Sequence, residues 1–150
     1  MDEIIEISQL LSFREIMILL QGIGYKTTIG IAMTEEILSE EELVTTLYEM
    51  AEKGILETKG EEFLVDRQIG EMMLCMGEPE RFFEFVPGEE ELPGYFCYER
   101  NGYILITQLF PRKKDTLKLT LLELSEYERW KERMIDDIGG YQSTDDGEDL

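Results

Sequence analysis

The sequence has no histidine and few basic residues: 14 lysines and arginines stand against 34 aspartates and glutamates. Without histidine, a protein lacks the usual general base, the commonest metal ligand and every histidine-dependent catalytic triad. The two cysteines, Cys75 and Cys97, form neither a C-x-x-C pair nor a disulfide framework, which is typical of a reducing compartment. We therefore expect a cytoplasmic protein that is not an enzyme and uses no cofactor or metal.

Long apolar runs are missing as well. The longest run near the N-terminus, Ile16 to Leu20, is far too short to span a bilayer. The first six residues are acidic where a signal peptide would be basic. We expect neither membrane association nor secretion by a standard route.

The formal net charge is −20, and 43% of the residues are hydrophobic. That hydrophobic content is enough for a real core, in one domain or in two small, closely packed ones. The charge repels nucleic acid and anionic lipid and favours basic partners, although a well-solvated surface alone would also explain it.

The clearest local architecture lies between Ser39 and Asp66. Ser39 and Glu42 have the spacing of a capping box, so a helix is predicted to begin there. Gly54 is suited to end that helix. A turn at Lys59-Gly60, flanked by residues 55–58 and 62–66, then predicts a β-hairpin. The helix should bury a stripe of four residues, Leu43, Leu47, Met50 and Ala51.

This order of helix, glycine and hairpin resembles the last helix and wing of a winged-helix domain, a resemblance that implies DNA binding. Residues 34–53, however, carry seven acids and one base, and the hairpin adds Glu57, Glu61 and Glu62 against Lys59. Duplex binding needs lysines and arginines that neutralise phosphates, so no nucleic acid is expected at residues 39–66. The alternative is a transcriptional regulator that binds DNA through another surface, such as residues 100–114.

Capping boxes recur elsewhere in the chain and predict further helices. Ser12 with Glu15 begins a helix over residues 13–21, and Ser125 with Glu128 begins one over about 126–138. A helix over 68–76 is indicated by apolar residues at core spacing. Residues 28–33 fit either a short strand or a bent helix.

Strand signals dominate the second half of the chain. Residues 82–86 suggest a strand, and residues 95–99 and 103–109 pair across Asn101-Gly102, a strong hairpin signal. A third strand over 116–123 has one apolar face, formed by Leu117, Leu119 and Leu121. The last helix carries an apolar stripe suited to cover this sheet or the first module: Tyr127, Trp130, Met134 and Ile138.

These patterns predict an α+β fold: a helical, winged-helix-like N-terminal half packed on an antiparallel β-meander that a C-terminal helix closes. The predicted divisions are a helical module over 1–78, the sheet with its helix over 79–138, and a disordered acidic tail over 139–150.

One region reverses the charge of the chain. Residues 99–118 contain five bases and two acids. A basic turn is usually only a solvated loop. The functional interpretation is a dock for an acidic partner, or for the acidic tail of another copy, which leaves a homodimer open. Its candidate residues are Arg100, Arg112, Lys113 and Lys114.

Most of the chain also resembles, in general plan, the EspG-type chaperones of type VII secretion systems. The segments that carry the resemblance are LSFREIMILLQGIG (11–24) and NGYILITQLFPRKKDTLKLTLLELS (101–125). The resemblance implies that this protein acts as a cytoplasmic partner of secreted helical substrates. We therefore expect a non-catalytic protein-interaction module, an adaptor or a chaperone-like protein.

Overall fold

The structure, a computed structural model, describes residues 6–25, 38–85 and 94–133. The strands are β1 (Ile7–Ser12), β2 (Leu56–Lys59), β3 (Glu62–Val65), β4 (Arg81–Phe85), β5 (Tyr95–Arg100), β6 (Tyr103–Leu109) and β7 (Thr116–Glu123). The helices are α1 (Phe13–Gly22), α2 (Glu40–Glu52) and α3 (Arg67–Gly77), followed by the helical residues 127–133, named α4 below. The predictions for residues 28–33, 86–93 and 134–150 lie outside the described residues.

A five-stranded antiparallel sheet in the order β1-β7-β6-β5-β4 organises the fold, which confirms the α+β class and the predicted meander. Asn101 (φ 54°) and Gly102 (φ 82°) join β5 to β6. Positive φ at both central residues is the geometry of a type I′ turn, whose twist matches that of the strands. The Asn101-Gly102 dipeptide was therefore sufficient to predict this hairpin from the sequence.

Strand β1 was not predicted from the sequence. It pairs with β7 from Ile7↔Leu121 to Ser12↔Thr116 and so extends the sheet beyond the meander. Ser12 ends the strand and also begins α1, where its side chain accepts a hydrogen bond from the Glu15 backbone N–H. The strand is short and only Leu11 in it is buried, so the periodicity of the sequence indicates it weakly.

The main core lies between helices α1–α3 and one face of the sheet. The helices contribute Ile16, Leu20, Met50, Met72 and Met76, all at most 1% exposed. The sheet contributes Leu11, Tyr98, Leu105, Leu117, Leu119 and Leu121. The predicted apolar faces of α3 and β7 are confirmed, and this core draws on residues from both halves of the chain.

The opposite face of the sheet has its own apolar cluster, which α4 covers. Tyr127 and Trp130 pack there against Tyr95, Cys97, Ile104, Ile106 and Leu122. Thr120 is also buried, although the alternation of β7 predicted a single buried face. That prediction was incomplete because α4 shields the second face from water.

The last helix is present where it was predicted, as α4, but Ser125 is not the residue at which the helical segment begins. Ser125 lies inside a 3₁₀ turn, Leu124–Glu126, whose N-cap residue Glu123 makes no side-chain capping hydrogen bond, and α4 follows this turn at residue 127. At the start of the turn, the Leu124 N–H donates to the Gly102 carbonyl at 2.8 Å. This bond ties the end of β7 to the β5–β6 turn before the helix begins.

Helix α2 and the β2–β3 hairpin form as predicted, with the Ser39–Glu42 capping box at the start of the helix. Gly54 (φ 82°) ends the helix and Gly60 (φ 63°) stands in the hairpin turn, both in the left-handed region that favours glycine. The predicted stripe is buried only in part, because Met50 is buried whereas Leu43 is 37% exposed.

Among the described residues, no helix combines the length and the apolar character that crossing a membrane requires.

The shared core predicts cooperative unfolding. In urea, the fluorescence of Trp130 reports on the unfolding of α4, and the far-UV circular dichroism signal reports mainly on α1–α3. Both signals should change at the same denaturant concentration. Two separate midpoints would instead favour the predicted division at residue 78 into independently stable units.

Candidate interaction site

The four basic residues singled out in the sequence lie at two opposite ends of the sheet. Arg100 ends β5 and pairs with Tyr103 beside the β5–β6 turn. Arg112, Lys113 and Lys114 lie in the β6–β7 loop, beyond the other end of β6. In an antiparallel meander, successive turns alternate between the two ends of the sheet. The structure therefore brings three of the four residues together and separates Arg100 from them.

Arg100 is engaged within the protein. Its side chain is 21% exposed, and its guanidinium lies 3.4 Å from a Glu78 carboxylate oxygen and 4.0 Å from Oε2 of Glu71. That Glu71 oxygen is buried and has no hydrogen-bond partner, so the guanidinium supplies its counter-charge. Arg100 therefore holds α3 and its C-terminal end against β5.

The β6–β7 loop is a braced turn. The Phe110 N–H donates to the Thr116 carbonyl at 2.9 Å, and the Thr116 hydroxyl donates to the Lys114 carbonyl at 3.1 Å. The Phe13 N–H of α1 donates to the Asp115 carbonyl at 2.8 Å. These bonds fix the backbone of the loop beside the start of α1, while Lys113 and Lys114 remain exposed.

Lys113 and Lys114 border an open groove of about 620 Å³ between the loop, the start of α1 and one side of α2. We call it the basic groove. Its lining residues are Ser12, Phe13, Arg14, Glu15, Met17, Thr46, Glu49, Lys53, Lys113, Lys114 and Asp115. Arg14 and Lys53 were not singled out in the sequence, because each is an isolated base in its own segment. Only folding brings them next to the loop.

A partly buried ion pair joins the two helices within the groove. Lys53 Nζ lies 2.7 Å from Oε2 of Glu15, whose side chain is only 7% exposed. The other oxygen of Glu15 accepts the Ser12 N–H at 2.9 Å and completes the capping box of α1. One carboxylate thus connects the start of α1 to the end of α2, and the pair holds the two sides of the groove together.

The charges in the groove favour anionic groups only locally. Its four bases exceed its three acids, within a chain of net charge −20. Neither Lys113 nor Lys114 forms an ion pair with the described residues. Their ammonium groups can therefore bind carboxylates or other anions of a partner.

The two thiols are poor nucleophiles. Cys75 and Cys97 are both free and fully buried. Desolvation by burial raises the pKa of Cys75, and likewise the pKa of Cys97, to about 12. The Cys97 thiol also lies 4.0 Å from the Tyr127 hydroxyl. In the part of the chain that the structure describes, no group of three or more cysteines and carboxylates is arranged to hold a metal ion.

Replacing Lys53 should destabilise the fold. Lys53→Met leaves the Glu15 carboxylate buried without its counter-charge, and we expect a loss of about 1–3 kcal/mol in the free energy of unfolding. Lys59→Met, at an exposed lysine of the hairpin, is the matched control and should change it by less than about 0.5 kcal/mol. If urea titrations give the same loss in the free energy of unfolding for Lys53→Met and Lys59→Met, the ion pair makes no specific contribution to stability.

Labelling of the thiols by a disulfide reagent should be slow. At about pH 8, a pKa of about 12 leaves roughly a thousandfold less thiolate than in an ordinary cysteine, and burial adds a further barrier. The same reagent should react rapidly in denaturant. Rapid labelling of the native protein would contradict the burial of both thiols.

No protein-family model matches the chain, and no curated protein matches it.

Proposed function

We propose that this protein is a cytoplasmic, non-catalytic protein-interaction module, of adaptor or secretion-chaperone type, that docks an acidic segment of a partner at its basic groove. The observation that carries the proposal is the pair of exposed lysines, Lys113 and Lys114, on a braced loop beside a groove. Among the described residues no carboxylate pairs with either ammonium group, so in a chain with 34 acids both are available to a partner.

The strength of such a contact is modest. Exposed ion pairs contribute about 0.2–1 kcal/mol each, and salt screens them. The net charge of −20 also opposes a partner that is acidic over its whole surface. The groove therefore suits a short acidic segment on a partner that makes further contacts elsewhere. The association should be reversible and should weaken as salt rises.

The chemistry of the chain supports a role in binding. The protein has no histidine, and its thiols are buried with raised pKa values. The resemblance to EspG-type chaperones makes a secreted helical protein the class of partner to test first. Two free cysteines suit a reducing compartment, which is why we place the protein in the cytoplasm.

A DNA-binding regulator is the second candidate. The succession of helix α2, Gly54 and the β2–β3 hairpin supports a winged-helix-like N-terminal half. Helix α2 contains five glutamates and no lysine or arginine. DNA would therefore have to bind elsewhere, and the basic groove is a small surface for a duplex.

Removing the loop lysines should weaken capture of the partner. In affinity pull-downs from the native host, the Lys113→Ala/Lys114→Ala protein should recover about tenfold less of the main partner than the wild type, because two charge contacts are lost. The control Lys59→Ala/Lys118→Ala removes two exposed lysines outside the groove and should recover the wild-type amount.

Equal recovery by both variants would exclude the groove as the docking site. A shift of mixed duplex DNA at low salt that Lys113→Ala/Lys114→Ala abolishes would favour the regulator instead.

A further inference from the structure

Helix α2 exposes a connected set of apolar side chains. Val44 is 44% exposed and Tyr48 is 58% exposed, one turn further along the same side of the helix. The Tyr48 ring meets the Phe63 ring of β3 edge-on, with centroids 5.4 Å apart. Leu43 and the half-buried Leu47 adjoin them at helical spacing. We call these five residues the α2 patch.

Helix α2 gives only part of its apolar stripe to the core, against which Leu47 and Ala51 pack while they remain partly exposed. Among its 13 residues, only Thr46 and Met50 are buried. An amphipathic surface helix normally turns its apolar stripe towards the core, whereas here part of that stripe faces solvent. Isolated exposed apolar residues are common, but a contiguous group that includes a half-exposed aromatic ring is typical of a binding surface.

Acidic residues outnumber the exposed base Lys59 on the helix and the hairpin that carry the α2 patch. Apart from Glu49, which lines the basic groove, the exposed glutamates of the helix and the hairpin are Glu40, Glu41, Glu42, Glu52, Glu57, Glu61 and Glu62. The base that follows the helix, Lys53, pairs with Glu15 in the basic groove. A partner that covers the α2 patch therefore meets apolar side chains flanked by negative charge.

This combination restricts what can bind there. A second copy docked through the same α2 patch would bring glutamates against glutamates, which costs free energy. Nucleic acid and the acidic residues 139–150 are repelled for the same reason. A helix that carries lysines or arginines beside its apolar face satisfies both the apolar and the charged parts of the surface.

We propose that the α2 patch binds a basic amphipathic helix of a partner protein. The helix would bury its apolar residues, spaced i, i+3 or i+4 and i+7, against Val44, Tyr48 and Phe63, and its cations would meet the surrounding glutamates. This surface lies outside the basic groove and is opposite to it in charge. The inference therefore does not depend on the acidic partner proposed above.

Selection from a random library of displayed 16-residue peptides tests the proposal directly. We expect the peptides enriched on the immobilised wild-type protein to be net positive and amphipathic as helices. A synthetic copy of the most enriched peptide should bind in solution, and raising the salt should weaken it.

Two pairs of variants locate the binding. Val44→Ala/Tyr48→Ala should weaken the synthetic peptide about tenfold or more, because alanine keeps the helix and removes the apolar contact. Leu109→Ala/Leu124→Ala, at exposed leucines outside the α2 patch, should leave its affinity unchanged. Glu41→Gln/Glu52→Gln should weaken binding and reduce its salt dependence, whereas Glu84→Gln/Glu132→Gln should do neither.

Several outcomes would overturn the proposal. The first is that no peptide is enriched from the library, and the second is that the enriched peptides are neutral or acidic. The third is that the Val44→Ala/Tyr48→Ala protein, with an unchanged circular dichroism spectrum, binds the synthetic peptide as tightly as the wild type does. Self-association that this variant abolishes would assign the α2 patch to a second copy instead. Lys113→Ala/Lys114→Ala should leave peptide binding intact, which separates a failure here from a failure of the basic groove.

Discussion

The fold depends on the position of β7, which is held between β1 and β6 and buried on both of its faces. Its odd-numbered residues Leu117, Leu119 and Leu121 face the helical layer, while Leu122 packs with α4. A strand enclosed in this way is shielded from water along most of its length, so its backbone hydrogen bonds and its apolar side chains stabilise the same arrangement. Both halves of the chain are needed to enclose it.

The basic groove is a direct consequence of that pairing. Because β1 ends at Ser12 and α1 begins with the next residue, pairing β1 with β7 places the start of α1 beside Asp115. The backbone bond from Phe13 to Asp115 closes the junction at 2.8 Å. Helix α2 then reaches the same place through the ion pair between Lys53 and Glu15. Three segments far apart in sequence thus surround one open space.

Local signals explain which parts of the fold could be read directly from the chain. Ser12 and Ser39 cap their helices, and Asn101-Gly102 turns its hairpin, because each needs only neighbouring residues. The signal at Ser125 is equally good, but the turn there begins earlier, after Glu123, where the Leu124 N–H forms a long-range bond to Gly102. Strand β1 carries a weak pattern, and its place in the sheet comes from its partner strand.

The sequence by itself determined the acidic surface, the absence of histidine chemistry, the α+β composition and most element boundaries, since these follow from residue types and short-range contacts. Tertiary structure decided which charges meet. It paired Arg100 with a carboxylate within α3 and with another just after that helix. It also brought Arg14 and Lys53 next to the loop lysines and left Val44 and Tyr48 exposed to solvent. The physical reason is that strand order and helix docking depend on many weak, distant contacts acting together, which no local pattern encodes.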